Sequence, residues 1–453
     1  MKNKKVYFSG INGIGMSGIA KILKLQGYDV SGSDLSYTNM TKSLEDIGIK
    51  VNISQVEENI KDFNPDIYVY STAIKKNNKE YIYAINNVSD IRRRGKMLAD
   101  IFNKFNCKIA VAGTHGKTTT SSMISTSLLK KDPYVVVGGI VPGINSNSRV
   151  GNSDLFIVEA DESDNSFLEL YPNYSVITNI ESDHLEHHGN LENIKNSFIQ
   201  FISQTDKKII LSSDCENIKS LDLSKYEDRI VRYSINKESD IYAKNIRVEN
   251  GLTKYEVILN YKSIGEFMLK VPGLHNVSNS LAAIYIANEL GVSIEDIKKS
   301  LLEFTGAKRR YQLIYDNDIK IIDDYAHHPT EINATIKAAR SIEKGKIIAV
   351  FEPHRYTRTS FFMDEFAKAL VEANEVILLP IYAASEENTE NISSFDLKEK
   401  IKLLDNNKKV EVVLPDILIE KMCCESKKDE VYLFMGAGLI SKLAYTISDK
   451  LKG

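Results

Sequence analysis

The chain has few cysteines and no long apolar run, and both shortages narrow the classes of protein it can belong to. Only four of its 453 residues are cysteine. Their number and spacing fit neither a disulfide framework nor a zinc site. No stretch approaches the roughly 20 apolar residues that a membrane-spanning helix needs. We therefore expect no membrane partner.

The chain also has little excess charge of either sign. Its 58 Lys and Arg residues against 61 Asp and Glu residues leave a net charge of −3, so we expect no nucleic-acid partner. Three of the first five residues are lysine, as in the basic start of a signal peptide, but a strand interrupted by glycines follows them and not an apolar helix. The length indicates two to four domains, and the composition is that of an ordinary cytoplasmic protein.

A glycine-rich turn near residue 113 is the most informative feature that is present. An apolar run over 108–112 precedes it, and a helical stretch follows. The turn reads Gly113, Thr114, His115, Gly116, Lys117, Thr118 and Thr119. In such turns backbone N–H groups surround phosphates, the lysine neutralises them and the threonine hydroxyl ligates Mg²⁺. Two residues separate Gly113 from Gly116 where the general P-loop has four, which indicates a narrower class than motor or signalling NTPases.

Two apolar strands in the same segment end in acidic residues. The strand at 155–158 is followed by Glu159 and further acids up to residue 164, and the strand at 175–178 leads to residues 181–184. Carboxylates at the carboxyl ends of strands beside a phosphate turn form the expected Mg²⁺ arrangement. An isolated acidic cluster is more often a loop or helix cap. Two in one parallel sheet favour a metal site.

The N-terminal segment reads as a βαβ unit. A strand over 5–10 leads into a turn with Gly10, Gly13 and Gly15, and a second strand ends at Asp34, which is placed to meet a ribose hydroxyl. The spacing differs from the dinucleotide Gly-x-Gly-x-x-Gly, so NAD is not the natural inference, and a single diphosphate such as UDP fits as well. The arginines at 92–94 form either a solvated face or a phosphate clamp.

Alternating strands and helices continue to the C-terminus. Strands at 319–324, 346–351, 375–380 and 431–435 predict a second Rossmann-like sheet. Two of them lead into His and Arg clusters, and Pro329 starts a helix after the first. Asn276 and Asn279 open an earlier helix. Their amides could bond a purine edge, although helix capping explains them equally well.

Together these motifs resemble those of the Mur ligases, the ATP-dependent amino-acid ligases of peptidoglycan synthesis. The matching segments are 113–118, 159–164, 323–331 and 353–358, with a weaker Gly-Ala-Gly at 436–438. The resemblance covers nearly the whole chain in order. The first turn has Asn12 where the family usually has Gly, and the last loop continues as Leu439-Ile440 where an Asp is common, which leaves the role of that loop open.

The resemblance implies an α/β fold of three domains. We expect an N-terminal Rossmann-like UDP-sugar-binding domain at 1–105, a central P-loop-type ATPase domain at 106–306 and a C-terminal Rossmann-like amino-acid-binding domain at 307–453. The implied reaction joins L-alanine to the lactoyl carboxylate of UDP-N-acetylmuramate through an acyl phosphate. It uses ATP and Mg²⁺ in the cytoplasm, and we expect a monomer or weak homodimer.

The same resemblance assigns residues to each site. The ATP set is Gly113, Thr114, His115, Gly116, Lys117, Thr118, Thr119, His275, Asn276 and Asn279. The UDP-sugar set is Gly10, Gly13, Ile14, Gly15, Met16, Asp34, Ser71 and Arg92. The metal set is Thr118, Glu159 and His184. The catalytic set is Lys117, His184, Arg309, Arg310, Asp324, His327, His354, Arg355 and Arg358.

Two other readings stay open. The sister ligase that joins a whole tripeptide to the same sugar nucleotide shares the triphosphate and His-His-Pro motifs, although residues 161–164 look more like the alanine-adding enzyme. A regulatory or sugar-nucleotide dehydrogenase module would explain only the first βαβ unit. It leaves Lys117 and the two His-Arg clusters without a role.

Overall fold

The computed structural model describes residues 4–71, 73–183 and 185–452. They divide into two compact units. The first comprises residues up to 244, 257–265 and 278–301, and the second comprises 245–256, 266–277 and the chain from 302. The N-terminal and central segments therefore share the first unit. None of the described helices is both long and apolar enough to cross a membrane.

The N-terminal segment forms a five-stranded parallel sheet in the order β3-β2-β1-β4-β5. Its strands are β1 (Lys5–Ser9), β2 (Asp29–Ser33), β3 (Lys50–Asn52), β4 (Ile67–Tyr70) and β5 (Asp90–Arg93). Its helices are α1 (Ile14–Leu25), α2 (Asn39–Glu45), α3 (Glu57–Phe63), α4 (Lys79–Asn87) and α5 (Arg94–Phe102). This confirms the predicted βαβ unit. It also shows that the three arginines at 92–94 span the end of the short edge strand β5 and the start of helix α5.

The central segment of the first unit has its strands in the order β12-β11-β10-β6-β9-β7-β8. These are β6 (Cys107–Ala112), β7 (Tyr134–Val141), β8 (Ser146–Arg149), β9 (Leu155–Glu159), β10 (Tyr174–Ile177), β11 (Lys208–Ser212) and β12 (Ile230–Ser234). The helices are α6 (Lys117–Ser127), α7 (Leu185–His188), α8 (Leu191–Ser203) and α9 (Glu216–Lys219), with 3₁₀ turns at Leu129–Lys131, Ser166–Glu169 and Ser224–Arg229. Parallel pairing of β6 with both β9 and β10 brings the predicted polar strand ends to one edge.

Five elements contain residues of both units. They are β13 (Ile241–Glu249), β14 (Leu252–Leu259), β15 (Lys262–Leu269), α10 (Leu274–Glu289) and α11 (Ile294–Glu303). Within the first unit, β13 continues the central sheet by pairing in parallel with β12.

The second unit has a six-stranded sheet in the order β16-β17-β21-β18-β19-β20. Its strands are β16 (Gln312–Asp316), β17 (Lys320–Asp324), β18 (Lys346–Phe351), β19 (Glu375–Leu378), β20 (Lys409–Val412) and β21 (Glu430–Met435). Its helices are α12 (Pro329–Ile342), α13 (Tyr356–Phe361), α14 (Met363–Leu370), α15 (Ser394–Leu404), α16 (Pro415–Glu425) and α17 (Ile440–Leu451). All pairs are parallel except β16 with β17. As predicted, α12 starts at Pro329.

The sheet of the second unit is buried on both faces. Alternate residues of β18 point to opposite faces, because side chains alternate along a strand. Ile347, Ala349 and Phe351 join one apolar cluster, and Ile348 and Val350 join the other. A largely parallel sheet covered on both faces by helices is the doubly wound arrangement that the alternating pattern predicted.

The two sheets of the first unit share an apolar core. One cluster of buried residues runs from β1 through α5 to the central strands, and the rings of Phe102 and Phe156 lie 5.6 Å apart. The first turn of α5 packs closely on the central segment, because a Cβ atom at Gly95 would lie 2.2 Å from Ser166 Cβ. The start of α5 therefore packs against residues of both the N-terminal and the central segment.

Glu80 is a fully buried carboxylate beneath the glycine turn of the N-terminal sheet. Its Oε1 accepts hydrogen bonds from Tyr7 Oη (2.8 Å) and Asn59 Nδ2 (2.9 Å). Its Oε2 accepts from the hydroxyls of Ser9 and Ser33, each at 2.5 Å. Because these serines end β1 and β2, Glu80 joins the carboxyl ends of two strands to α3 and α4.

We expect Glu80→Ala to lower the free energy of unfolding by about 3 kcal/mol, because three buried donors and the half-buried Asn59 lose their acceptor. The change should appear as a lower urea midpoint. Glu58→Ala removes an exposed carboxylate from the neighbouring helix α3 and should leave the midpoint nearly unchanged. Equal midpoints for Glu80→Ala and the unmodified protein would contradict this role.

Candidate active site

The turn predicted to hold phosphate joins β6 to α6 at the carboxyl edge of the central sheet. Two of its glycines have positive φ, 134° at Gly113 and 80° at Gly116. A Cβ atom at Gly113 would lie 2.1 Å from Thr178 Oγ1, and one at Gly116 would lie 2.8 Å from Asn279 Oδ1. Both positions therefore require glycine. The packing also places Asn279 beside the phosphate turn.

Residues after β10 fix the shape of this turn. The His115 amide donates to Asn179 Oδ1 at 2.8 Å, and the His115 carbonyl accepts from Thr178 Oγ1 at 2.5 Å. The Glu181 amide donates to Thr114 Oγ1 at 2.8 Å. The second polar strand end, predicted as part of a metal site, thus supports the turn. His184, which follows it, lies outside the described residues.

Lys117 extends back over its own turn into a buried acidic environment. Its Nζ donates to the carbonyls of Gly113 (2.6 Å) and Thr114 (3.0 Å) and to Glu162 Oε1 (2.8 Å). Burial opposes its charge, but the carboxylates of Glu162 and Asp161 outweigh that effect and raise the pKa of Lys117. The lysine is therefore cationic at neutral pH, with Glu162 as a partner that the sequence analysis did not single out.

The two metal ligands predicted within the described residues lie in contact. Thr118 Oγ1 donates to Glu159 Oε1 at 3.1 Å, and the Gly138 amide donates to Glu159 Oε2 at 2.7 Å. Thr118 and the neighbouring Thr119 are both buried in the first turn of α6. A hydroxyl and a carboxylate are the oxygen ligands that Mg²⁺ prefers. These side chains therefore fit the predicted ion.

The predicted sugar-nucleotide residues converge at the carboxyl edge of the N-terminal sheet. The Gly10 amide donates to the Ser33 carbonyl at 2.9 Å, and a Cβ atom at Gly10 would lie 3.6 Å from Ser71 Cβ. The Asp34 carboxylate accepts from the amides of Asn12 (2.9 Å) and Leu35 (2.8 Å). Gly10, Asp34 and Ser71 thus lie around one turn, and Asp34 orders the position where the family usually has Gly.

Helix α1 begins directly after Gly13, and two of its first residues differ in exposure. Ile14 is exposed, whereas the Met16 side chain is buried in the core of the unit. Of the predicted pair, Ile14 can therefore offer its side chain to a ligand, and Met16 can offer only its backbone.

The arginine cluster is divided between the two ends of the N-terminal sheet. Arg92 pairs with Asp90 and Asp100, each at 2.7 Å, and it lines a cavity at the amino-terminal ends of β1, β2 and β4. Arg94 lies against Gly15, where a Cβ atom would be 3.1 Å from Arg94 Cδ. The structure therefore places Arg92 away from the glycine turn and Arg94 beside it. The sugar-nucleotide role of Arg92 stays a prediction.

In the second unit, two predicted arginines lie over one aromatic ring. The guanidinium carbons of Arg309 and Arg310 are 4.7 and 5.4 Å from the centre of the Tyr325 ring. Arg309 also donates to the Gly436 carbonyl at 2.8 Å, and Arg310 pairs with Glu331 at 3.3 Å. The loop at 436–438, whose role the sequence left open, thus supports one of the predicted catalytic arginines.

The two candidate histidines are neighbours. The ring centres of His327 and His354 are 6.3 Å apart, and His354 stacks on Tyr382 at 5.5 Å. Burial and the charges of Arg358 and Arg355 lower the pKa of His354 to about 4. His354 is therefore neutral at pH 7, and which histidine handles a proton stays open.

Arg355 has a backbone conformation that non-glycine residues rarely adopt, with φ 72° and ψ 139°. Its amide donates to the Tyr382 carbonyl at 2.8 Å, and its Nη1 lies 3.8 Å from Glu386 Oε1. Strain of this kind costs about 1–3 kcal/mol and is concentrated at functional sites. It is consistent with the predicted role of Arg355, and Arg358 follows on the helix that Arg355 precedes.

The predicted adenine residues of the second unit lie at the start of α10. The Asn276 side chain donates from Nδ2 to the Pro272 carbonyl at 2.6 Å, which ties it to the residues just before the helix. His275 is exposed next to it. This hydrogen bond at the helix start favours a structural role for Asn276. A contact of Asn276 with adenine stays a prediction.

Asp324 holds two loops together at the end of β17. Its carboxylate accepts from the amides of Ala326 (2.8 Å) and Tyr311 (2.9 Å) and from Thr335 Oγ1 (3.3 Å). Burial raises the pKa of Asp324 to about 6, although the Arg310 charge opposes this. The predicted catalytic carboxylate therefore also organises the site.

We expect Asp324 to make stability depend on pH. Its folded-state pKa lies about two units above the ordinary value near 3.9, so the stabilisation of the protonated form is complete below pH 4 and is lost as the pH rises through 6. Relative to Asp324→Asn, the protein should lose about 3 kcal/mol of unfolding free energy between pH 4 and 7. Urea unfolding of both at several pH values tests this. A difference that does not change with pH would contradict it.

Three protein-family models match consecutive segments of the chain. The model of the Mur ligase family catalytic domain matches residues 5–106, that of the Mur ligase middle domain matches 111–287, and that of the Mur ligase glutamate ligase domain matches 309–438. The chain belongs to the Mur ligase family. The boundaries predicted above, at 105 and 306, stay predictions.

Individual Mur ligases resemble the whole chain. The UDP-N-acetylmuramate–L-alanine ligase of Fusobacterium nucleatum is 51% identical, with 99% of this chain and 97% of the relative covered. The crystal structure of the UDP-N-acetylmuramate–alanine ligase MurC from Thermotoga maritima matches with a TM-score of 0.84 at 30% identity, over 99% of both chains. A murein peptide ligase from Psychrobacter arcticus, at 24% identity and a TM-score of 0.72 over 99% of this chain and 98% of that one, shares the fold. The α/β fold of three domains is therefore confirmed.

Proposed function

We propose that this Mur ligase uses ATP to join L-alanine to the lactoyl carboxylate of UDP-N-acetylmuramate in the synthesis of peptidoglycan precursors. The observation that carries the proposal is the half-buried, cationic Lys117 beside the Thr118–Glu159 pair. It occurs in a chain that is 51% identical, over nearly its full length, to a UDP-N-acetylmuramate–L-alanine ligase. ATP and a sugar nucleotide as substrates are consistent with a cytoplasmic reaction.

Two steps account for the chemistry. A carboxylate is a poor electrophile, so the γ-phosphoryl group first moves from ATP to a carboxylate oxygen, which gives an acyl phosphate and ADP. The amine of alanine then attacks the carbonyl carbon and loses a proton. Inorganic phosphate leaves the tetrahedral intermediate and the amide remains. Charge neutralisation and positioning are the main tasks of the protein in such phosphoryl transfers.

The central site supplies the charge neutralisation. Amides of the turn at 113–118 face the phosphates, and Lys117 exchanges Glu162 for a phosphate oxygen. Thr118 and Glu159 would hold Mg²⁺, with His184 as a further predicted ligand. The ion, when bound, neutralises the charge of the transferring phosphoryl group.

The other sites orient the two substrates. The glycine turn with Asp34 and Ser71 binds the sugar nucleotide. Arginines of the second unit bind the alanine carboxylate and the acyl phosphate, because guanidinium groups contact planar anions in a bidentate manner. They are Arg309, Arg310, Arg355 and Arg358. His327 or His354 accepts the amine proton or orients the substrate.

The test is release of ADP in the presence of each combination of substrates. We expect ADP only when ATP, UDP-N-acetylmuramate and L-alanine are all present, together with transfer of labelled oxygen from the lactoyl carboxylate to inorganic phosphate. Activity with a tripeptide but not with alanine would support the sister ligase instead. Amide formation without ATP consumption would overturn the proposal.

A further inference from the structure

Arg94 connects the N-terminal and central sheets of the first unit. Its side chain lies along Gly15 at the start of α1, where a Cβ atom would be 3.2 Å from Arg94 Nη1. Its Nη2 donates to Asp161 Oδ2 at 2.7 Å and lies 3.9 Å from Asp164 Oδ2. One half-buried guanidinium thus faces the sugar-nucleotide turn on one side and the acidic loop at 159–164 on the other.

Asp161 extends this connection to the phosphate turn. Its Oδ1 accepts from the amide (3.1 Å) and hydroxyl (2.6 Å) of Ser163. Burial opposes its charge, but Arg94 and Lys117 outweigh that effect and hold the pKa of Asp161 at about 2. Asp161 also lies between Glu159 and Glu162 in the chain, and these carboxylates contact Thr118 and Lys117 respectively.

The backbone beside Arg94 packs against the central segment. The next residue, Gly95, has no room for a Cβ atom against Ser166, so the first turn of α5 is fixed on the central segment. The five N–H donors of a guanidinium are enough to bond two anions at once. A diphosphate at the turn around Gly15 can therefore share Arg94 with Asp161.

We propose that Arg94 is a positioning residue that couples sugar-nucleotide binding at the Gly15 turn to ATP binding at Lys117. The inference rests on the proposed function, which supplies the two ligands. A diphosphate at the Gly15 turn would give the Arg94 guanidinium a second anion and hold it where it pairs with Asp161, which stabilises the loop that presents Glu159 and Glu162. Arg94 also screens the repulsion between two anionic ligands. Each ligand then strengthens binding of the other by the same factor.

The test measures that factor in the full chain by calorimetry. A non-hydrolysable ATP analogue with Mg²⁺ is titrated with and without saturating UDP-N-acetylmuramate, and the coupling factor is the ratio of the two Kd values. We expect tighter analogue binding with the sugar nucleotide. Arg94→Ala should lower the coupling factor about tenfold, within the usual range of such couplings, and change the affinity for the analogue alone much less. Arg94→Lys keeps the charge and should restore part of it.

Lys96→Ala is the matched control. Lys96 lies on the same helix and pairs with Asp100 at 3.0 Å and Glu169 at 3.9 Å, so its loss should leave the coupling factor unchanged. An unaltered factor in Arg94→Ala, or equal weakening of analogue binding with and without the sugar nucleotide, would overturn the inference. If the unmodified protein binds the analogue but not UDP-N-acetylmuramate, the proposed function itself fails.

Discussion

Lys117→Ala should lower the rate of ADP release by at least about a thousandfold. The proposed function makes this lysine the cation that faces the phosphates, and loss of one preorganised donor to a developing charge typically costs about 10²–10³ in rate. Loss of a full positive charge at a half-buried site should cost at least as much. A coupled assay for ADP with all three substrates measures it.

Two variants separate this effect from instability. Removing Lys117 leaves Glu162 buried without its cation, which is costly for folding, so the double variant Lys117→Ala/Glu162→Gln should regain stability but not activity. Lys131→Ala removes an exposed lysine after the same helix and should keep full activity. Normal turnover in folded Lys117→Ala would remove the nucleotide assignment.

The sequence predicts relative positions best for residues that are close together in the chain. A strand, a glycine turn and a helix with Lys-Thr at its start fix the relation of Gly113, Lys117 and Thr118, because the backbone places them within one turn of each other. The position of Glu159 beside Thr118 could be predicted because the carboxyl ends of neighbouring parallel strands share one edge. The start of α12 followed from Pro329.

The residues that the sequence missed depend on contacts between distant parts of the chain. Glu162 meets Lys117 across 45 positions, and Arg94 meets Asp161 across 67. Three consecutive arginines give no pattern that separates Arg92 from Arg94. That separation arises because β5 ends at Arg93 and the helix turns the next side chain toward Gly15. The strand itself, Asp90–Arg93, was missed because it is a short, polar edge strand without apolar alternation.

Glu159→Gln should raise the Mg²⁺ concentration needed for half-maximal ADP release by at least about tenfold and lower the maximal rate about a hundredfold. The amide keeps one oxygen near Thr118 and a shape similar to the carboxylate, but it loses the charge that a divalent ion needs. Mg²⁺ titration of ADP release, with Mn²⁺ binding followed by electron paramagnetic resonance, measures both effects.

The matched control is Glu192→Gln, an exposed carboxylate of the same unit that pairs with Lys195, which should leave the Mg²⁺ titration unchanged. Thr118→Ser keeps the hydroxyl and should stay near full activity, whereas Thr118→Ala should resemble Glu159→Gln, because both side chains are proposed ligands of one ion. An unchanged Mg²⁺ requirement in both Glu159→Gln and Thr118→Ala would place the ion elsewhere. Their 3.1 Å contact would then serve only to hold the start of α6 against the end of β9.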